Sequence, residues 1–148
     1  TRKKLTKHPK FYFFDTGVQK ALSRNYSLTI NDEKTNLGKI FEHFLIKEVV
    51  TLSKYKQNDY KFSFYRTESG AEVDLIVETP LLQTFAIEIK STNRISFNDL
   101  RGLQSFKEVC NKAKLICVDM NAVNKRYVDN VLILPWKEAI AYIQNVEV

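Results

Sequence analysis

Glycine and proline are scarce, with four and three in 148 residues. That scarcity excludes a loop-dominated or disordered chain. No apolar run approaches the roughly 18 residues that a membrane-spanning helix requires. Thr1 to Lys10 is basic, with no apolar segment behind it, so nothing there reads as a secretory signal. Cysteine is limited to Cys110 and Cys117, seven apart, with no His or Cys neighbour at metal-ligand spacing. Both read as reduced packing residues of a cytoplasmic protein rather than as a disulfide or a thiolate pair. What remains is ordinary for a soluble globular domain: 44% hydrophobic and 27% charged residues, with aromatics supplied by ten Phe and seven Tyr. The length suits one domain with a real core. Because the sequence opens on Thr1 and not Met, it reads as a fragment of a longer protein or as a trimmed chain.

The net charge of +6 is unevenly spread. Arg2, Lys3, Lys4, Lys7 and Lys10 give the first ten residues +5, and setting those five aside leaves 18 basic against 17 acidic side chains. Residues 1–10 therefore read as a basic arm or linker, and residues 11–148 as a nearly neutral domain. Such an arm can hold phosphate, but a solvated junction reads as easily.

Along the chain, Lys10-Phe-Tyr-Phe-Phe-Asp15 is aromatic and extended, and Asp15-Thr16 offers an N-cap for a helix over 17–24. After the polar loop 31–36, apolar residues at 37, 40, 41, 44, 45, 49 and 52 predict a helix over 37–55. Three strands follow, over 60–67, 71–78 and 83–91, separated by Ser69-Gly70 and Thr79-Pro80. Their short turns imply an antiparallel meander. Ser96 and Asp99 form a capping-box-like pair opening a helix over 97–112. Residues 113–119 and 128–134 read as buried strands, and Pro135 as the first position of a final helix. A helix that carries the chain from the meander to a later strand is a crossover, so the expected fold is α/β, a mixed sheet flanked by helices.

The chemistry gathers in Gly70-Ala-Glu-Val-Asp74 and Ala86-Ile-Glu88-Ile-Lys90. Strand alternation sets Glu88 and Lys90 on one face, with Phe85, Ile87 and Ile89 on the other. A hairpin turn of about four to five residues near Pro80 sets Asp74 opposite Glu88, at a cross-strand Cβ separation of roughly 5 Å. A hard cation, Mg²⁺ or Mn²⁺, takes oxygen ligands, and Asp74, Glu88 and the backbone carbonyl of Ile89 could supply three. Lys90 could orient or deprotonate a bound water, or offset charge on an attacked phosphate. Glu42 has Gly38, Leu45, Ile46 and Val49 as helical neighbours, so it is half-buried and needs a partner, while Gly38 leaves room for a close approach. A structural salt-bridge cluster is the plainer reading of the same residues.

Glu42 on a helix, then Asp74, then Glu88-Ile89-Lys90 on adjacent strands, then a helix and a strand, resembles the PD-(D/E)xK nuclease superfamily. More narrowly, Phe11-Tyr-Phe-Phe-Asp-Thr-Gly17, Gly38-Lys-Ile-Phe-Glu42, Tyr65-Arg-Thr-Glu-Ser-Gly-Ala-Glu-Val-Asp74 and Ala86-Ile-Glu-Ile-Lys-Ser91 resemble one family. Arg101-Gly-Leu103 and Leu134-Pro-Trp136 fit it too. That family is the uncharacterised domain at the C-terminus of many prokaryotic AAA-type ATPases, and the resemblance runs from about Lys10 to Ile143. It implies a restriction-endonuclease-like core with a three-stranded meander, preceded by a P-loop ATPase module and a winged-helix segment. This stretch has no G-x-x-x-x-G-K-[ST] and should not bind ATP by that route. It implies Glu42, Asp74, Glu88 and Lys90 as the metal-site positions, with Val73 in place of the nominal Pro. Gln104 could match an auxiliary polar position or be an ordinary helix-surface amide. His43 is expected on the helix surface, and Tyr65 and Arg66 at the mouth of the cleft. The implied activity is metal-dependent hydrolysis of DNA, with a catalytically silent DNA- or protein-binding module as the alternative.

Overall fold

The computed structural model describes Tyr12, residues 34–92 and residues 94–145. The basic arm and the expected helix over 17–24 lie outside the described residues. In chain order the elements are α1 (Lys34–Tyr55), β1 (Lys61–Arg66), β2 (Glu72–Glu78) and β3 (Thr84–Lys90). A 3₁₀ turn (Phe97–Leu100) then leads into α2 (Arg101–Val109), β4 (Lys114–Asp119), β5 (Arg126–Val128), β6 (Val131–Pro135) and α3 (Trp136–Gln144). The six strands form one mixed sheet in the order β1-β2-β3-β4-β6-β5. β1, β2 and β3 are antiparallel neighbours, β3, β4 and β6 run parallel, and β5 returns antiparallel on β6.

Helices cover both faces of this sheet. Phe41, Leu45, Ile46 and Val49 of α1, with Ala139 and Ile143 of α3, pack on Leu75, Val77, Phe85, Ile87, Ile89, Ile116 and Val118. Leu100, Leu103 and Phe106 pack on the other face, against Val73, Ile76, Ala86, Leu115, Cys117 and Ile133. Each large apolar side chain fully buried here contributes roughly 1.5–3 kcal/mol. β3 is covered on both faces, which is why its apolar residues form an almost unbroken run. Cys110 and Cys117 are both free thiols, and both pack with the second cluster, as reduced core residues do. No helix among the described residues is long and apolar enough to cross a membrane.

Three local features differ from the sequence expectation. The run 128–134 is two strands, because Asp129 and Asn130 turn the chain with φ of 49° and 62°. Asp and Asn tolerate left-handed backbone, so this pair closes a two-residue hairpin that the apolar run conceals. The helix expected over 97–112 starts as a 3₁₀ turn and stops at Val109. Pro135 closes β6 and stands just outside α3 instead of within it.

Glycine matters at two helix-to-sheet approaches. Gly38 on α1 faces Ser91, whose Oγ would lie 3.3 Å from an added Cβ. Gly102 on α2 is tighter, since a Cβ there would meet the Glu72 carbonyl oxygen at 1.8 Å. No rotamer relieves a clash with backbone. Gly102→Ala should therefore destabilise the fold by about 3 kcal/mol or more by forcing α2 off β2, measured by urea unfolding.

Candidate functional site

The site lies where β2 and β3 part. Their ladder pairs Glu78↔Thr84 through Leu75↔Ile87, and the same register carried one residue further sets Asp74 across from Glu88. Against β1, Ser63 pairs with Ile76 and Tyr65 with Val73, so Phe64 alone faces both Asp74 and Leu75. This is a β-bulge, which re-aims the bulged residues and ends regular pairing. The Ile89 amide, just past the last β2 partner, donates to Asp74 Oδ2 at 2.9 Å. A carboxylate thus replaces a main-chain acceptor.

Glu42, Asp74, Glu88 and Lys90 line one cleft of about 320 Å³. Lys90 Nζ lies 2.8 Å from Glu88 Oε1. Glu88 is 7% exposed, and its Oε2 is buried with no hydrogen-bond partner. Burial and the neighbouring Asp74 raise the Glu88 acid to about 7, although Lys90 pulls it down. Burial alone would lower Lys90, but Glu88 and Asp74 outweigh it and hold the ammonium above its ordinary value. Lys90 is therefore a firm cation. Glu42 comes from α1, and its Oε1 accepts a hydrogen bond of 3.1 Å from the Tyr12 hydroxyl. Burial, then Glu42, push the Tyr12 phenol well above its usual range, so it remains a donor.

Other predicted positions fall elsewhere. Ile89 donates its amide to Asp74 and is not among the residues that line the cleft. Gln104 donates to the Asp129 carbonyl and carboxylate at 3.0 and 3.1 Å, on the β5–β6 turn. Tyr65 bonds Ser105 at 3.1 Å and packs on Phe106, and Arg66 reaches toward Glu72 at 4.0 Å; neither lines the cleft. His43, expected on the surface, is 5% exposed and stands edge-on to the Tyr12 ring. That contact lies on a helix face that periodicity alone assigns to solvent.

Sequence reasoning missed Glu72, Asp99 and Arg101 as cleft residues. Gly102 brings them in by letting the start of α2 abut β2 at Glu72. Asp99 accepts from the Ser96 amide and hydroxyl at 2.8 and 2.6 Å. Burial would raise its acid, but these bonds and the Lys90 charge outweigh that and hold it below the usual value. The capping pair was legible, whereas its place beside Lys90 depended on the fold. With five carboxylates against Lys90 and Arg101, the cleft favours cations.

A raised Glu88 acid has a consequence for stability. The folded state holds the Glu88 proton more tightly than the unfolded chain, so its stabilising contribution is complete below pH 4.5 and lost as pH rises to about 7. Glu88→Gln should remove this slope. Chelator-treated wild type should lose roughly 3 kcal/mol relative to the variant across that window, read from urea midpoints at several pH values.

Neither a curated protein nor a solved structure matches the chain. A family model, Domain of unknown function (DUF4143), matches residues 37–139. That stretch covers more than half of the chain and holds α1 from Leu37 on, every described strand, α2 and Glu42, Asp74, Glu88 and Lys90, so the chain belongs to the DUF4143 family.

Proposed function

We propose that this domain hydrolyses phosphodiester bonds in DNA with bound Mg²⁺ or Mn²⁺, as a nuclease of the PD-(D/E)xK type carried by an AAA-type ATPase. The observation that carries the reading is the Glu88 carboxylate. It is buried in the cleft, with one oxygen on Lys90 and the other without a partner. A buried anion so placed is costly unless something compensates it. A hard dication would do so, and Mg²⁺ commonly binds through one or two carboxylates, with waters and substrate phosphates completing its shell. Asp74 and Glu88 would supply ligands, the Ile89 carbonyl remains an expected backbone donor, and Glu42 borders the same cleft from the helix. A bound cation would polarise the phosphoryl group and make water a better nucleophile.

The chain's own residues divide the remaining work. The Ile89 amide fixes the orientation of Asp74. Lys90, held as a cation, would stabilise the negative charge that builds on the attacked phosphate rather than take a proton at neutral pH. Arg101, exposed at the cleft, suits a neighbouring phosphate. DUF4143 domains often occur in AAA-type ATPases, which supports the proposed partner module.

A second reading, a DNA- or protein-docking module without catalysis, draws on one observation. Among the described residues no three His, Cys, Asp or Glu side chains are arranged to hold a metal ion by themselves. Calorimetric titration of Mn²⁺, run in parallel with plasmid nicking, separates the two readings. The nuclease reading expects wild type to bind and nick, Asp74→Ala to lose both, and Lys90→Ala to keep binding but lose roughly 100-fold or more in nicking. Wild type that neither binds nor nicks leaves the docking module.

A further inference from the structure

Tyr12 precedes Glu42 by thirty residues, yet α1 holds it at two adjacent positions. The ring stands edge-on to buried His43, with centroids 5.6 Å apart and planes at 75°. The hydroxyl donates to Glu42 Oε1 at 3.1 Å. The ring contact fixes where the hydroxyl sits, and the hydrogen bond then fixes the carboxylate. A glutamate on a helix has several rotatable bonds, and ordering them opposes any binding that needs one orientation. Tying down one oxygen settles much of that beforehand. The charges of Asp74 and Glu72 also act on the Tyr12 phenol. Ligating carboxylates are commonly oriented by outer hydrogen bonds of this kind.

From this geometry we infer that Tyr12 is a positioning residue, holding the Glu42 carboxylate ready for the divalent cation of the cleft. The inference rests on the metal reading above. Tyr12 does not touch the cation or the substrate; it acts through Glu42.

A double-mutant cycle on Mn²⁺ affinity, measured by calorimetry, tests this. Tyr12→Phe keeps the ring against His43 and removes only the donor, so thermal unfolding should not change. It should weaken Mn²⁺ binding about tenfold in the native background. In a Glu42→Gln background the same change should have almost no effect, because the group it orients is gone. An equal loss in both backgrounds, or no loss in the native one, overturns the inference while leaving the metal site standing. Wild type without Mn²⁺ affinity removes the metal reading and this inference together.

Discussion

The hydrogen bond from the Ile89 amide to the Asp74 carboxylate closes the point at which β2 and β3 part. Main-chain pairing on that side stops at Leu75↔Ile87. Beyond it, a buried strand would carry a donor without an acceptor, at a cost comparable to a lost hydrogen bond. The bulge in β2 supplies a side chain at that spot. Because the acceptor is a carboxylate and not a carbonyl, the repair brings charge into the middle of the molecule. Glu88 is the next residue across, and the cluster grows from there.

Burial then sets the electrostatics. β3 lies under helices on both faces, so Glu88 has little water to share its charge with. Its proton is held to about 7, while Lys90, only partly buried and beside two carboxylates, keeps its own. A buried ion pair of this kind is weak evidence for stability, since desolvation offsets most of the attraction. The pair sits at the carboxyl end of a central strand, in a cleft that residues from two helices border.

Two glycines and one tyrosine shape the walls. Gly38 lets α1 pass close to Ser91, and Gly102 lets α2 touch the backbone of Glu72. The Gly102 approach brings Asp99 and Arg101 beside Glu72, whereas the Gly38 approach is looser, since a Cβ there would meet only the Ser91 hydroxyl. Tyr12 secures one wall from outside by gripping His43 and Glu42 together.

Local periodicity was enough for α1, the meander, β4 and the alternation of Glu88 and Lys90 against Phe85, Ile87 and Ile89, because helices and strands repeat over a few residues. The hairpin length near Pro80 also set Asp74 opposite Glu88, since register follows turn length. The β5–β6 turn is concealed by the apolar run around it, because Asp and Asn also suit extended backbone and only tolerate the left-handed one they adopt here. The burial of His43 is not legible from helix periodicity, since its contact with Tyr12 joins residues thirty-one apart in the chain. The sequence alone thus determined which residues share a strand face and which helix carries a carboxylate toward it. Only the tertiary structure decided that Glu72, Asp99 and Arg101 join them, that Gln104 turns to Asp129 instead, and that one Glu88 oxygen is buried without a partner. Those outcomes depend on how closely separate elements approach, a distance fixed by packing between residues far apart in the chain.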